Sequence, residues 1–235
     1  MSERRTVTRD GHIFTVRDPD ADSGQPHEAA FWDQFQHSWE TDTIGVLNER
    51  LRPGDVLVDV GAWIGPVSLY AAKLGAKVYA VEPDPVACHQ LREHANWNDA
   101  DITVWEGMVG AEAGTGWIGR HPLGALGDSM SSMLHATDRV EVPALTLEGL
   151  FERFGLGACS LVKIDVEGGE EAILPQAAPF LATLRVPVML ATHAPMFDGD
   201  ARDTYKATVE AALDAANLSH GEVSDGWGNL LCLPV

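Results

Sequence analysis

The sequence predicts an α/β fold, a mainly parallel sheet with helices on both faces. Three observations carry this. Short apolar strands alternate with amphipathic helical stretches along most of the chain, the pattern of repeated β-α-β units. Val56–Val60 reads as a buried strand that runs through Gly61-Ala62-Trp63-Ile64-Gly65 into a helix, and the glycines allow close backbone approach. A second buried strand, Lys77–Glu82, ends in an acid 23 residues after Asp59, near where nucleoside-binding folds place the carboxylate for a ribose diol.

The elements follow in order. Residues 1–27 are polar and rich in Asp, Pro and Gly beyond Ile13, and read as an irregular arm or a short hairpin. From Glu28 to Leu51 the apolar spacing is helical, through Trp32, Phe35, Trp39, Ile44, Leu47 and Leu51. Arg52-Pro53-Gly54-Asp55 ends it. A helix is expected over Pro66–Leu74, stopped by Gly75. Asp84 can cap the next helix, with Pro85 at its first position, running to Trp97. Ile102–Trp105 is a third strand. Residues 107–135 are rich in glycine and serine, a long connection of the kind that is usually functional or mobile, with Val140–Pro143 as a short strand. Leu145–Phe154 is an amphipathic helix capped by Thr146, and Ser160–Asp165 is a fourth strand. Gly169–Leu184 is helical despite Pro175 and Pro179. Val186–Thr192 is the fifth strand and Asp203–Asn217 a helix. Leu218–Val223 and Asn229–Leu233, joined by the turn Asp225-Gly226-Trp227-Gly228, close the chain as an antiparallel edge pair.

Bulk properties narrow the classes. The 235 residues suit one α/β domain. No apolar run approaches the roughly 20 residues of a membrane span, and no signal segment follows Met1, so a cytoplasmic location and no membrane partner are expected. The net charge of -19 repels nucleic acid and anionic membrane, and no basic stripe offsets it, so no nucleic-acid partner is expected. Cys88, Cys159 and Cys232 lack metal-ligand spacing and read as reduced and mostly buried.

The glycine turn selects among nucleoside cofactors. A dinucleotide fingerprint from Gly61 needs glycine at 63 and 66, where the chain has Trp63 and Pro66, and no lysine follows to make a P-loop. The pattern D-x-G-A-x-x-G with strand-end Glu82-Pro83 instead resembles the S-adenosylmethionine (SAM) site of class I methyltransferases. Downstream, Leu161-Val162-Lys163-Ile164-Asp165-Val166-Glu167-Gly168-Gly169-Glu170 resembles the I-K-I-D-V-E-G-x-E signature of the FkbM family of SAM-dependent methyltransferases. Trp39-Glu40, Ser131-Ser132-Met133 and Asn229-Leu230-Leu231 extend the resemblance over roughly residues 39–233. There are two departures: the family usually has Asn where Trp63 stands, and often Glu two residues before the histidine, where this chain has Ala191-Thr192-His193.

The resemblance implies a Rossmann-like class I methyltransferase fold, seven strands in the order 3-2-1-4-5-7-6 with the seventh antiparallel. It implies one SAM-dependent methyltransferase domain over 1–235, with residues 1–52 an arm and helices covering the site and 107–145 an inserted lid. It further implies methylation of a hydroxyl oxygen, often on a sugar or a specialised metabolite. The cofactor would be SAM. Asp59, Gly61, Ala62, Trp63 and Gly65 lie at its amino-acid part, Glu82 and Pro83 at the ribose, and Glu106 and Gly107 near the adenine. Glu40 and Thr41 cover the methionine end, and Asp165 borders the cofactor from the fourth strand.

Alcohol methylation needs a positioned nucleophile and help with its proton. His193, Asp165 and Glu167 are the candidate catalytic residues, because ligands in open α/β sheets sit beyond the carboxyl ends of the strands. The same three can be metal ligands for Mg²⁺ or another divalent ion. Glu170, in the first turn of its helix, reads first as a favourable helix-end charge. His121, Asp128, Ser129, Ser131, Ser132 and His135 are candidate lid residues, and Trp32, Phe35, Trp39 and Trp63 a candidate aromatic wall. The expected partner is a small hydroxylated acceptor, with a homodimer compatible with the sequence. Two readings compete: N- or carboxyl-methylation on the same scaffold, and a SAM-binding module without catalysis.

Overall fold

A computed structural model describes residues 4–18, 26–223 and 228–235. The chain opens with an antiparallel hairpin, β1 (Arg4–Arg9) and β2 (His12–Arg17). Its turn, Asp10-Gly11, has positive φ at both positions, the geometry that matches the natural twist of paired strands. Val7, Phe14 and Val16 on one face are buried against Trp32, Phe35 and Tyr70.

The helical stretch expected from Glu28 to Leu51 is two helices, α1 (Pro26–His37) and α2 (Thr41–Arg50). The break lies at Glu40, which takes a left-handed φ of 38°. Arg9, buried, donates from one guanidinium nitrogen to the carbonyls of Phe35 and Trp39, both at 2.6 Å. Those carbonyls are satisfied from outside the helix, so the chain can turn there.

The main sheet comprises β3 (Val56–Val60), β4 (Lys77–Glu82), β5 (Ile102–Glu106), β9 (Leu161–Ile164), β10 (Val188–Ala191), β11 (Leu218–Val223) and β12 (Asn229–Pro234). Its spatial order is β5-β4-β3-β9-β10-β12-β11, which in the sheet's own chain numbering is 3-2-1-4-5-7-6. Pairing is parallel from β5 to β10, and β12 runs antiparallel to both its neighbours. Residues 225–227 of the turn joining β11 to β12 lie outside the described residues.

Helices cover both faces. α3 (Pro66–Lys73) and α4 (Pro85–Trp97) join α1, α2 and the hairpin on one, where Leu57, Val78 and Leu161 point. α5 (Leu147–Phe154), α6 (Glu170–Leu184) and α7 (Asp200–Ala215) cover the other, where Val58, Val60, Val162 and Ile164 point. Alternation of side chains along a strand splits the apolar run between two cores. Asp84 caps α4 by accepting the N–H groups of Val86 and Ala87, and Thr146 caps α5 through Gly149. α6 continues through Pro175 and Pro179.

Residues 107–145 are more ordered than a glycine- and serine-rich connection suggests. β6 (Met108–Val109), β7 (Gly114–Arg120) and β8 (Thr137–Leu145) form a second, three-stranded sheet in the order β6-β8-β7. Glycine hides the strand because its backbone does the packing: a Cβ at Gly116 would run into Met108, and one at Gly119 into the His135 carbonyl. Apart from the short turn 110–113, residues 121–136 remain as a loop, tied by a bridge between Gly119 and Ser132. No helix among the described residues is long and apolar enough to cross a membrane.

Candidate active site

A cavity of about 450 Å³ opens at the carboxyl ends of β3, β4 and β9. This is the point where the strand order reverses, since β4 leaves β3 on one side and β9 on the other. Eight of the cofactor-binding and catalytic candidates line it: Glu40, Gly61, Ala62, Trp63, Glu82, Pro83, Asp165 and Glu167.

Gly61 shows why the turn needs its glycine. Its φ is +79°, and a Cβ would collide with the Asp165 carbonyl of the neighbouring strand. The amides of the turn are paired within the protein. Gly61 and Ala62 donate to the Val81 carbonyl at 2.9 and 3.0 Å, and Trp63 donates to the Glu82 carboxylate at 2.7 Å. Gly65 begins α3 away from the cavity, where a Cβ would meet Leu91.

Glu82 is buried at the end of β4, and its second oxygen accepts the Asp84 N–H at 2.7 Å. Burial pushes its carboxyl up to about 8, against the pull of the two amides. Pro83 follows it on the cavity wall. The next strand end departs from expectation. Glu106 is paired with Arg92 at 2.7 Å, Gly107 packs under the Trp105 ring, and Met108 and Val109 line the cavity instead. Thr41 also stays outside, its hydroxyl turned to the Ser38 carbonyl.

Asp59 lies below the floor, fully buried. It accepts the Ser68 hydroxyl at 2.6 Å and faces Lys163 Nζ at 3.6 Å. Burial raises its carboxyl, and the Lys163 charge and the Ser68 hydrogen bond offset part of that. Lys163 was not singled out from sequence, yet it lines the cavity and pairs with Asp165 at 2.9 Å. Burial works against both charges here, and their mutual attraction outweighs it. Lys163 is held above its ordinary value and Asp165 below, with His193 adding to the latter.

His193 stands just behind the cavity wall, at the end of β10. Its Nδ1 lies 2.9 Å from Glu170 Oε1, while Nε2 faces Asp165 Oδ1 at 3.6 Å and Glu167 Oε2 at 3.5 Å. Burial alone would lower the ring. Hydrogen bonding to Glu167 and Glu170, with the charges of Glu170 and Asp165, pushes it up to about 11. Glu170 is no surface helix charge: it is fully buried, and it accepts the Tyr205 hydroxyl at 2.8 Å and the Val166 N–H at 3.1 Å. The Tyr205 hydroxyl in turn accepts the His193 backbone N–H at 2.9 Å. Asp165, Glu167 and His193 each offer one ligand atom within 4.8 Å of the others, a group that suits a divalent cation.

The opposite wall is aromatic, though not with the four residues expected. Trp39 and Trp63 line it together with Phe31, which meets Trp63 edge to face at 4.5 Å. Trp32 and Phe35 are wholly in the core beneath the hairpin. Of the lid candidates, Asp128, Ser129, Ser131 and Ser132 line the cavity, while His121 and His135 pack on each other outside it. The cysteines are free, Cys88 and Cys232 buried and Cys159 half-buried.

A sheet in this order, with an acid-ended second strand beside a glycine turn at the switch point, is the class I methyltransferase fold. The chain belongs to the FkbM methyltransferase family, whose model, the methyltransferase FkbM domain, matches residues 59–215. A 31-O-demethyl-FK506 methyltransferase FkbM from Streptomyces tacrolimicus is 34% identical over 156 residues, 53% of this chain and 60% of that protein. A tRNA (guanine(37)-N(1))-methyltransferase from Leishmania major is 36% identical over 87 residues, 36% of this chain and 12% of that protein. The chain thus spans less than two thirds of either relative. Among solved structures, a T. Thermophilus 16S rRNA methyltransferase in complex with AdoMet and guanosine superposes over 99% of this chain and 50% of that one. Its TM-score is 0.51 at 11% identity, a likeness of fold.

Proposed function

We propose that this chain is a SAM-dependent O-methyltransferase acting on a hydroxyl of a small molecule, a sugar or specialised metabolite. The observation that carries the reading is the single cavity joining two chemistries. Gly61, Trp63 and Glu82 sit at one end, and Asp165, Glu167 and an aromatic wall at the other. The whole chain acts as one methyltransferase domain, with residues 1–52 covering the site and 107–145 forming its lid.

In this reading Glu82 accepts the ribose hydroxyls, Glu40 faces the methionine end, and Met108 and Val109 border the adenine. SAM supplies an activated methyl group, so the protein's task is to align the acceptor oxygen and take its proton. Glu167 is the proton acceptor, since it lines the cavity. Without a metal, His193 is its cationic partner rather than a base, because three carboxylates hold the ring protonated. The donor set also fits a divalent ion. Glu170 fixes Nδ1, leaving Nε2 aimed with two carboxylates at one point. Such an ion would lower the acceptor hydroxyl's pKa. Two carboxylates and an imidazole suit Mn²⁺ at least as well as Mg²⁺.

The carboxylates that line the cavity, Glu40, Glu82, Asp128, Asp165 and Glu167, favour a small acceptor over a nucleic acid, as does the net charge of -19. The test is S-adenosylhomocysteine (SAH) formation from SAM with a hydroxylated acceptor panel, with and without Mg²⁺ or Mn²⁺, followed by NMR of the methylated product. O-methylation is expected, with E167Q lowering kcat by roughly 10²–10⁴-fold. A methyl on nitrogen or carboxyl overturns the acceptor atom. SAM binding without turnover across the panel makes the chain a binding module.

A further inference from the structure

The carboxylate of Glu82 and the peptide of Gly127 are joined by a closed ring of hydrogen bonds. Glu82 accepts two backbone amides, from Trp63 and from Asp84, each at 2.7 Å. The side chains of those same two residues grip Gly127 in the loop 121–136. The Trp63 indole N–H donates to the Gly127 carbonyl at 2.8 Å, and Asp84 Oδ2 accepts the Gly127 N–H at 2.7 Å. Asp84 Oδ2 also accepts the Ser131 hydroxyl at 2.8 Å. Asp84 still caps α4 with its other oxygen, so one carboxylate ties helix and loop together.

The loop so held forms part of the cavity wall through Asp128, Ser129, Ser131 and Ser132. Trp63 reaches it from a left-handed backbone position, φ +48°, which a bulky aromatic residue rarely adopts. Its conformation is maintained by contacts on three sides: Glu82 below, Gly127 above and Phe31 alongside.

We propose that Trp63 and Asp84 are positioning residues that transmit occupancy of Glu82 to the loop 121–136, so that cofactor binding sets the wall of the acceptor site. This rests on the reading of Glu82 as the ribose acid. A carboxylate has about four lone-pair sites, so two amides and two ribose hydroxyls saturate it. Hydroxyl donors favour the anion, and an anionic carboxylate is a stronger acceptor for the two amides than a protonated one. Firmer amide bonds fix the backbone of Trp63 and Asp84, and with it the two side chains that hold Gly127. Acceptor binding then follows cofactor binding.

Hydrogen exchange of the 127–134 amides with and without SAH tests this on the full chain, with SAH affinity measured by calorimetry. SAH is expected to slow exchange there at least about fivefold in the wild type. W63F keeps the ring and removes the indole donor. D84N keeps an N-cap side chain and removes the carboxylate that Gly127 and Ser131 share. Both should bind SAH, more weakly, with slowing below about twofold. Either variant suffices if the other does not melt cooperatively. Wild-type protection retained in the variants overturns the proposal, as does SAH binding to the wild type without protection. If the wild type binds no SAH, the SAM reading itself falls, and the coupling falls with it.

Discussion

Lys163 stands directly opposite Asp59 in the parallel register of β9 and β3, with its Nζ 3.6 Å from Asp59 Oδ1 and 2.9 Å from Asp165 Oδ2. Both are buried at the centre of the sheet, Lys163 at the edge of the cavity and Asp59 beneath it. One ammonium thereby balances two carboxylates.

Removing that ammonium leaves the buried Asp59 carboxylate uncompensated and Asp165 with His193 alone. K163M should destabilise the fold by about 3–5 kcal/mol in urea denaturation, while the double variant D59N/K163M should be markedly milder. Equal losses in the two proteins would show that the pair is not the source of the effect.

Gly61 and Gly54 both have positive φ, but only Gly61 has a neighbour where a Cβ would go. G54A should cost about 1 kcal/mol for the backbone alone. G61A should cost several-fold more, or displace β9, and abolish SAH binding. Calorimetric binding and denaturation of the two variants side by side give the comparison; similar behaviour would mean the turn has room to spare.

Glu82 has an ordinary value of 4.5 in the unfolded chain and about 8 in the fold. The folded form therefore holds the proton more tightly. Its contribution to apo stability is full below 4.5 and is lost as pH rises through about 8. Ribose hydroxyls prefer the carboxylate, so SAH binding at pH 7 should release protons and tighten as pH rises through 8. Calorimetry in two buffers of different protonation heat measures the release, and E82Q should lack it. A buffer-independent heat would contradict this assignment.

His94 carries the opposite sign. Its Nδ1 lies 2.8 Å from the Ile64 carbonyl, and Nε2 accepts the Arg17 N–H at 3.0 Å, so the neutral ring joins α4, the glycine turn and β2. Burial lowers it to about 4 from 6.5. The stability it contributes is complete above 6.5 and is lost as pH falls toward 4, about 3 kcal/mol in all. The melting temperature of H94Q should accordingly vary less with pH across this window than the wild type's. An unchanged acid slope would assign that limb to other groups.

Much of this architecture was legible along the chain. β3, β4 and β11 have the bounds read from the sequence, and the Asp84-Pro85 start of α4 follows from capping chemistry alone. The order of the main sheet came from the resemblance carried by Asp59-Val60-Gly61-Ala62 and Lys163-Ile164-Asp165-Val166-Glu167. Of the two readings of residues 1–27, an irregular arm or a short hairpin, the structure holds the hairpin. Asp10-Gly11 between alternating apolar residues is a strong hairpin signal. The glycine-spaced strand β7 was hidden because its packing atoms are backbone, which leaves no apolar period to read.

By itself, then, the sequence determined the fold class, the glycine turn and strand-end acid on one side of the cavity and the chemical inventory of the other side, because periodicity, caps and short motifs are local properties. Only the tertiary structure decided which members of that inventory meet. It buried Glu170 behind His193, set Lys163 between Asp59 and Asp165, sent Trp32 and Phe35 to the core, and brought Gly127 to Trp63 and Asp84. Those partners lie 2 to 104 positions apart along the chain, and distance in sequence carries no record of which pairs the sheet and its loops will bring into contact.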